Sequence, residues 1–206
     1  TFIPGQSDLF LVQSKRDGWN SLYLYNRNGS LIRQLTNNIE VSELKGFDVQ
    51  NKVIYFQGIP PNSIDLQFYR TEISTGNTIQ LTKGPGRHIG SVSADGKYIY
   101  DQSIALGGSL KGSVFPVGKG KEVVLQQIYD PLNKLALGEI RIDTLQANDG
   151  TRLFSRTIFP VDFNPAKKYP VVIYVYGGPH AQMISNTRLG QAQLWMSYLA
   201  NQGFIV

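Results

Sequence analysis

The sequence predicts a mainly β chain: the last blades of a partial β-propeller, made of four-stranded antiparallel sheets, then the truncated start of an α/β domain. Three observations carry this. A set of short strands recurs about every 46 residues. Glycine-containing turn pairs (Asn28-Gly29, Thr75-Gly76, Asp95-Gly96) punctuate the strands. Past Lys134 that pattern stops, and a continuous apolar run followed by a helical pattern replaces it.

The repeat is read first from Leu22-Tyr23-Leu24-Tyr25 and Gln34-Leu35-Thr36, set against Phe68-Tyr69-Arg70-Thr71 and Gln80-Leu81-Thr82. Tyr69 follows Tyr23, Leu81 follows Leu35 and Thr82 follows Thr36, each by 46 positions. The preceding strand repeats as well, since Phe56 lies 46 positions after Phe10. These two phenylalanines are therefore expected at equivalent places in adjacent sheets. A third copy opens at Tyr98-Ile99-Tyr100-Asp101 and ends near Gln127. Alternating strands joined by such turns read as successive hairpins. A unit of roughly 45 residues fits one propeller blade, and a closed propeller needs about 4–8 of them. Two full units and most of a third are legible, over residues 1–133. A β-sandwich with coincidental turns is the alternative.

Residues 134–206 follow a different grammar. Glu139-Ile140-Arg141-Ile142-Asp143 and Leu153-Phe154-Ser155-Arg156-Thr157-Ile158-Phe159 read as a hairpin around Asn148-Asp149-Gly150. Val171-Val172-Ile173-Tyr174-Val175-Tyr176 has no alternation, the pattern of a strand buried on both faces. Ala192, Trp195, Met196 and Leu199 share one face of a helix that Gly203 ends. Phe204-Ile205-Val206 begins another strand. Strand, helix, strand is a βαβ unit, whose strands lie parallel.

The motifs Ser14-Lys15-Arg16-Asp17-Gly18-Trp19-Asn20-Ser21-Leu22-Tyr23 and Lys168-Tyr169-Pro170, then Tyr176-Gly177-Gly178-Pro179-His180-Ala181-Gln182, resemble the dipeptidyl peptidase IV branch of the prolyl oligopeptidase family of serine peptidases. The resemblance spans the whole chain. It implies an α/β-hydrolase domain from residue 134 onward and a parent enzyme that releases N-terminal di- or tripeptides after proline. The implied partner is a peptide with proline near its N-terminus, and a homodimer is one assembly open to it. It also implies an exported bacterial protein. The chain has no Gly-x-Ser-x-Gly elbow, so the resemblance places the Ser, Asp and His of the triad beyond Val206. This chain alone is then expected to be inactive. By resemblance, Tyr176 is the catalytic residue present, its phenol donating a hydrogen bond to the oxyanion. A propeller module that binds peptide or glycan without catalysis is the alternative function, and a parent that has lost its triad is a third reading.

Other residues carry plainer readings. Gly177 and Gly178 allow a sharp turn close to a substrate. His88 and His180 are the two histidines. Neither fits a triad by chain order, and His88 reads as part of the turn Pro85-Gly86-Arg87-His88. Trp19 and the recurring tyrosines Tyr23, Tyr25, Tyr69, Tyr98 and Tyr100 read as inter-blade packing, and Arg16-Asp17 as a surface ion pair. Asn28-Gly29-Ser30 matches a glycosylation sequon, but Asn-Gly is also the favoured hairpin turn.

Composition narrows the classes further. The 21 Gly and 10 Pro make up about 15% of the 206 residues, above the usual ~12% and consistent with a turn-rich fold. With no cysteine, the chain has no disulfide framework, thiolate metal site or Cys nucleophile. No metal or other cofactor is expected. The net charge of +5 is spread out rather than clustered, which argues against nucleic-acid binding. No apolar run approaches the ~18 residues of a membrane span. The residues Thr1-Phe2-Ile3-Pro4-Gly5 do not read as a signal peptide.

Overall fold

The computed structural model describes residues 1–178, 182–188 and 190–206. They form two compact units. One comprises Thr1–Ile104 with Leu110–Ile128, the other Ala105–Ser109 with Tyr129–Val206.

The first unit contains three four-stranded antiparallel sheets. The first has β1 (Phe2–Ile3), β2 (Gln6–Ser14), β3 (Ser21–Asn26) and β4 (Leu31–Gln34). The second has β5 (Glu40–Asp48), β6 (Val53–Ile59), β7 (Gln67–Glu72) and β8 (Thr78–Gln80). The third has β9 (Arg87–Val92), β10 (Tyr98–Ile104), β11 (Leu110–Pro116) and β12 (Val123–Ile128). Every strand pairs with its neighbours in sequence, as in propeller blades. The third sheet is more complete than the sequence suggested, because β9 lacks a clear apolar alternation yet pairs along its whole length with β10.

Stacking of the sheets follows from strand alternation. On β6, Ile54 and Phe56 join a core with Leu11, Leu24 and Leu35 of the first sheet. Val53 and Tyr55 point the other way, into a core with Ile99 of the third. A central blade must be apolar on both faces, and β6 is.

The Gln-Leu-Thr repeat has a specific structural cause. Thr36 Oγ1 accepts a hydrogen bond from the Leu22 amide at 2.8 Å, and Thr82 Oγ1 accepts one from the Phe68 amide, also at 2.8 Å. Next to each, Leu35 N–H donates to Leu22 O and Leu81 N–H to Phe68 O, both at 2.7 Å. The hydroxyl thus extends the ladder where the outer strand leaves the sheet. Thr36→Val and Thr82→Val keep the shape but strand a buried amide. Each is expected to cost about 1–3 kcal/mol, with the larger shift of the urea midpoint for Thr82→Val, whose hydroxyl also donates to Gln67 Oε1 at 2.7 Å.

The pairing of Phe10 with Phe56 does not hold. Tyr23 pairs with Val12, whereas Tyr69 pairs with Phe56, so Val12 is the counterpart of Phe56. The connection between the last paired residues of β6 and β7, Gly58 and Gln67, is two residues longer than that between Ser14 and Ser21 of β2 and β3, and it absorbs the offset. Phe10 instead stacks on Tyr25 at 5.5 Å.

Tyr69 is buried and stacks on Phe56 with ring centroids 5.3 Å apart. Burial pushes its phenol up to about 12. Below pH ~10 both the folded and the unfolded chain keep this proton. Between about 10 and 12 only the unfolded chain ionises, so stability falls with rising pH, by about 2–3 kcal/mol over that window. The alkaline loss in a urea series should shrink in Tyr69→Phe.

In the second unit, β13 (Ile140–Gln146) and β14 (Arg152–Ile158) form the expected hairpin, with Gly150 at φ 85° in its turn. The helix α1 (Gln191–Asn201) follows, and Gly203 beyond it takes φ 92°. The buried face is not the one expected. Gln193, Ser197 and Ala200 are buried, while Trp195 is exposed and stacks on Tyr198 at 5.7 Å. Packing on β14 selects small side chains and a hydrogen-bonding amide over the larger apolar ones.

Residues 171–176 also depart from expectation. Only the start of the run is paired. Val172 N–H donates to Ile205 O at 2.9 Å, and Ile205 N–H donates to Pro170 O at 3.0 Å, in parallel sense. On the other side, Ile158 and Val206 exchange two hydrogen bonds, at 2.8 and 3.1 Å. The βαβ pairing is therefore present, but residues 173–176 run on without a strand beside them among the described residues. A doubly buried strand needs neighbours on both edges and layers on both faces. Here Ile173 is 80% exposed.

Candidate active-site segment

Tyr176 closes the apolar run and is 58% exposed. The chain turns immediately after it. Gly177 takes φ 69°, which a side chain would strain. A Cβ on Gly178 would lie 3.3 Å from the Tyr176 ring, so the backbone passes close against the phenol's own ring. Tyr176 thus lies exposed, four residues beyond Val172, where the parallel pairing of the run ends. His180, with Pro179 and Ala181, lies outside the described residues.

The segment that leads on to α1 is tied down by two arginines. Arg156 on β14 donates from Nη2 to Thr187 O at 2.6 Å and also to Ser185 O. Its Nη1 reaches Gln193 Oε1 on α1 at 3.5 Å. Burial lowers its affinity for the proton. Arg188 forms an ion pair with Asp130, which also caps the 3-10 turn Pro131–Lys134. Two charged clamps thus hold residues 185–188 ahead of the helix. No periodicity marks these arginines, since each acts on backbone carbonyls or a distant side chain.

In the first unit, the histidine assigned to a turn is elsewhere. His88 lies within β9 and is 4% exposed. Its Nδ1 is 2.7 Å from Oδ2 of Asp101, which is 2% exposed. Gln57 of β6 donates to the His88 carbonyl and so ties the strand to the second sheet. Arg16 and Asp17 do not pair with each other. Arg16 lies 4.3 Å over the Tyr23 ring and donates to the Tyr25 hydroxyl at 2.8 Å, and Asp17 accepts from the Tyr23 hydroxyl. The aromatic face outcompetes the carboxylate for the guanidinium. Asn28-Gly29 forms a turn, with Gly29 at φ 80°. Among the described residues, no group of three His, Asp or Glu side chains is arranged to hold a metal.

Comparison with known proteins gives a consistent picture. Residues 1–105 match the family model of the dipeptidyl peptidase IV N-terminal region. The chain is 29% identical over 188 residues to dipeptidyl peptidase 4 of Trichophyton equinum, covering 84% of this chain and 23% of that protein. It is 26% identical over 170 residues to mouse dipeptidyl peptidase 8, covering 77% and 19% respectively. The chain thus spans about a fifth to a quarter of these relatives. A Bacteroides ovatus crystal structure assigned as a dipeptidyl aminopeptidase IV superposes with a TM-score of 0.87 at 30% identity, over 99% of this chain and 32% of that one. Porphyromonas gingivalis dipeptidyl peptidase 4 shares the fold, with a TM-score of 0.81 at 24% identity, over 96% and 28%. By its matched blades and its fold, the chain belongs to the dipeptidyl peptidase IV family.

Proposed function

We propose that this chain is part of a serine exopeptidase that releases N-terminal di- or tripeptides after proline. In this reading residues 1–133 supply C-terminal propeller blades and residues 134–206 open an α/β-hydrolase catalytic domain. Its substrate is a peptide with proline near the N-terminus, it needs no cofactor, and it acts as an exported protein that can pair as a homodimer. The observation that carries the reading is the exposed Tyr176, followed by the Gly177 turn in a run whose start pairs in parallel with Ile205, in a chain of this family.

The chemistry assigned to Tyr176 is that of an electrophile. Attack on a peptide carbonyl converts its oxygen to an oxyanion, and a phenol held in place stabilises that charge as it develops. The role assigned to Tyr176 is therefore that of a hydrogen-bond donor and not of a base. The nucleophile, its base and the orienting acid must come from residues this sequence does not contain.

The test compares this 206-residue chain with the full-length protein on a glycyl-prolyl chromogenic substrate. Turnover sensitive to a serine-directed inhibitor is expected from the full-length protein and none from this chain. Inhibitor-sensitive turnover by the chain alone would overturn the assignment, as would a full-length protein that binds the substrate without cleaving it.

A further inference from the structure

We propose that Asn28 is a site of spontaneous modification: its side-chain amide is lost through a cyclic imide closed by the Gly29 nitrogen, and water leaves aspartate or isoaspartate in its place. The chain contains four Asx-Gly pairs, Asp17-Gly18, Asn28-Gly29, Asp95-Gly96 and Asp149-Gly150. Glycine puts no Cβ beside the attacking nitrogen. In all four pairs the glycine takes a positive φ, between 69° and 86°. In all four its N–H closes a turn on the carbonyl three residues back, at 2.9–3.0 Å. The backbones are thus matched, and the side chains set which pair reacts in the fold.

Three of the four side chains are held. Asp17 Oδ2 accepts from the Tyr23 hydroxyl at 2.5 Å. Asp95 Oδ1 accepts from the Ser93 hydroxyl at 2.7 Å and from the Lys97 amide at 3.1 Å. Asp149 Oδ1 accepts from the Thr151 amide at 2.9 Å. These bonds keep the Asp95 and Asp149 carboxyls below the usual carboxylate range, and an ionised carboxylate resists attack by a nitrogen. Asn28 is exposed, and its side chain makes no hydrogen bond to the described residues. By analogy with Asp95 and Asp149, the donor that would hold it is the amide two residues on, that of Ser30. Asn26 Oδ1 has taken this amide, at 2.9 Å. A Cβ at Gly29 would meet nothing within 4 Å, so the imide has room to close each time the exposed turn opens.

The step needs water and no other reactant. The Gly29 nitrogen gives up its proton and bonds to Asn28 Cγ. The bond from Cγ to Nδ2 breaks, and ammonia leaves carrying that proton. Water then opens the imide. Attack at the side-chain carbonyl restores the ordinary backbone, and attack at the backbone carbonyl reroutes the chain through the side chain, adding a methylene between β3 and β4. Either product sets a carboxylate where a neutral amide stood.

The full-length protein is kept in mildly alkaline buffer and sampled over days by peptide mass spectrometry, with electron-transfer fragmentation to separate isoaspartate from aspartate. Conversion at position 28 is expected to outrun isoaspartate formation at positions 17, 95 and 149 by at least about tenfold. A parallel run in concentrated urea separates the fold from the intrinsic reactivity of each pair. Urea should speed the three aspartates by a larger factor than Asn28, because it frees side chains that the fold holds. Asn26→Ala leaves the backbone bonds of the turn in place and frees the Ser30 amide to hold Asn28, so it should slow the conversion about 2–10-fold. Asn28→Gln should remove the product. The proposal is overturned by a folded protein that stays unmodified at position 28 while the unfolded one converts. Equal acceleration of all four pairs in urea overturns it as well, as does an Asn26→Ala variant that converts at an unchanged or higher rate.

Discussion

In the full-length protein, Tyr176→Phe is expected to lower kcat by ~10²–10³, or about 2.7–4 kcal/mol, with KM little changed. The substitution removes only the hydroxyl. The ring is 58% exposed, and a Cβ at Gly178 would already sit 3.3 Å from it, so the local packing concerns the ring and not the oxygen. An interaction made only in the transition state shows in kcat, while one made equally in the ground state shows in KM. Steady-state kinetics on a glycyl-prolyl substrate separates the outcomes. A near-normal kcat would make Tyr176 a packing residue, and a raised KM with unchanged kcat would move it to the substrate pocket.

The second large effect concerns stability. Phe56→Ala is expected to destabilise the first unit by about 3–5 kcal/mol, because it deletes a fully buried ring and leaves a cavity. Phe56 is 0% exposed, stacks on Tyr69 and belongs to the core that joins the first two sheets. Phe10→Ala should cost much less, since Phe10 is only half-buried. The urea midpoints of the two variants, at unchanged m-value, decide it. Equal losses would restore the equivalence that the 46-residue spacing suggests and the strand pairing denies.

These two phenylalanines show how far the sequence reaches. Thr36 and Thr82 were legible because the same backbone amide needs the same hydroxyl in each blade. The strand order was legible because each hairpin is closed locally by its own turn. Phe10 and Phe56 misled because a connection two residues longer between the last paired residues of β6 and β7 shifted the pairing against the numerical spacing. On α1, hydrophobicity pointed to Trp195 and Leu199, but contact with β14 and the Arg156 clamp chose Gln193, Ser197 and Ala200. His88 was hidden for a similar reason. A neighbouring Pro-Gly pair reads as a turn, and its partner Asp101 stands 13 positions away on another strand. The role proposed for Tyr176 comes from the motif around it and not from periodicity, since a tyrosine at the end of an apolar run is ordinary in isolation.

The nearest-neighbour strand order of the three sheets bears on how the chain folds while it is being made. Every sheet is complete once its own stretch of chain, residues 2–34, 40–80 or 87–128, has left the ribosome. At synthesis rates of ~5–20 residues per second that takes about 2–9 s, whereas a hairpin forms in ~1–10 μs. Each blade therefore has ample time to close before the next one appears, and its closure does not wait for distant sequence. The pairing of Val171 with Ile205 differs, since it spans a helix and cannot begin until the chain has passed residue 205. In the interval, the apolar run 171–176 emerges with no strand to receive it. During translation this run, rather than any blade, is the stretch on which a holding chaperone would act.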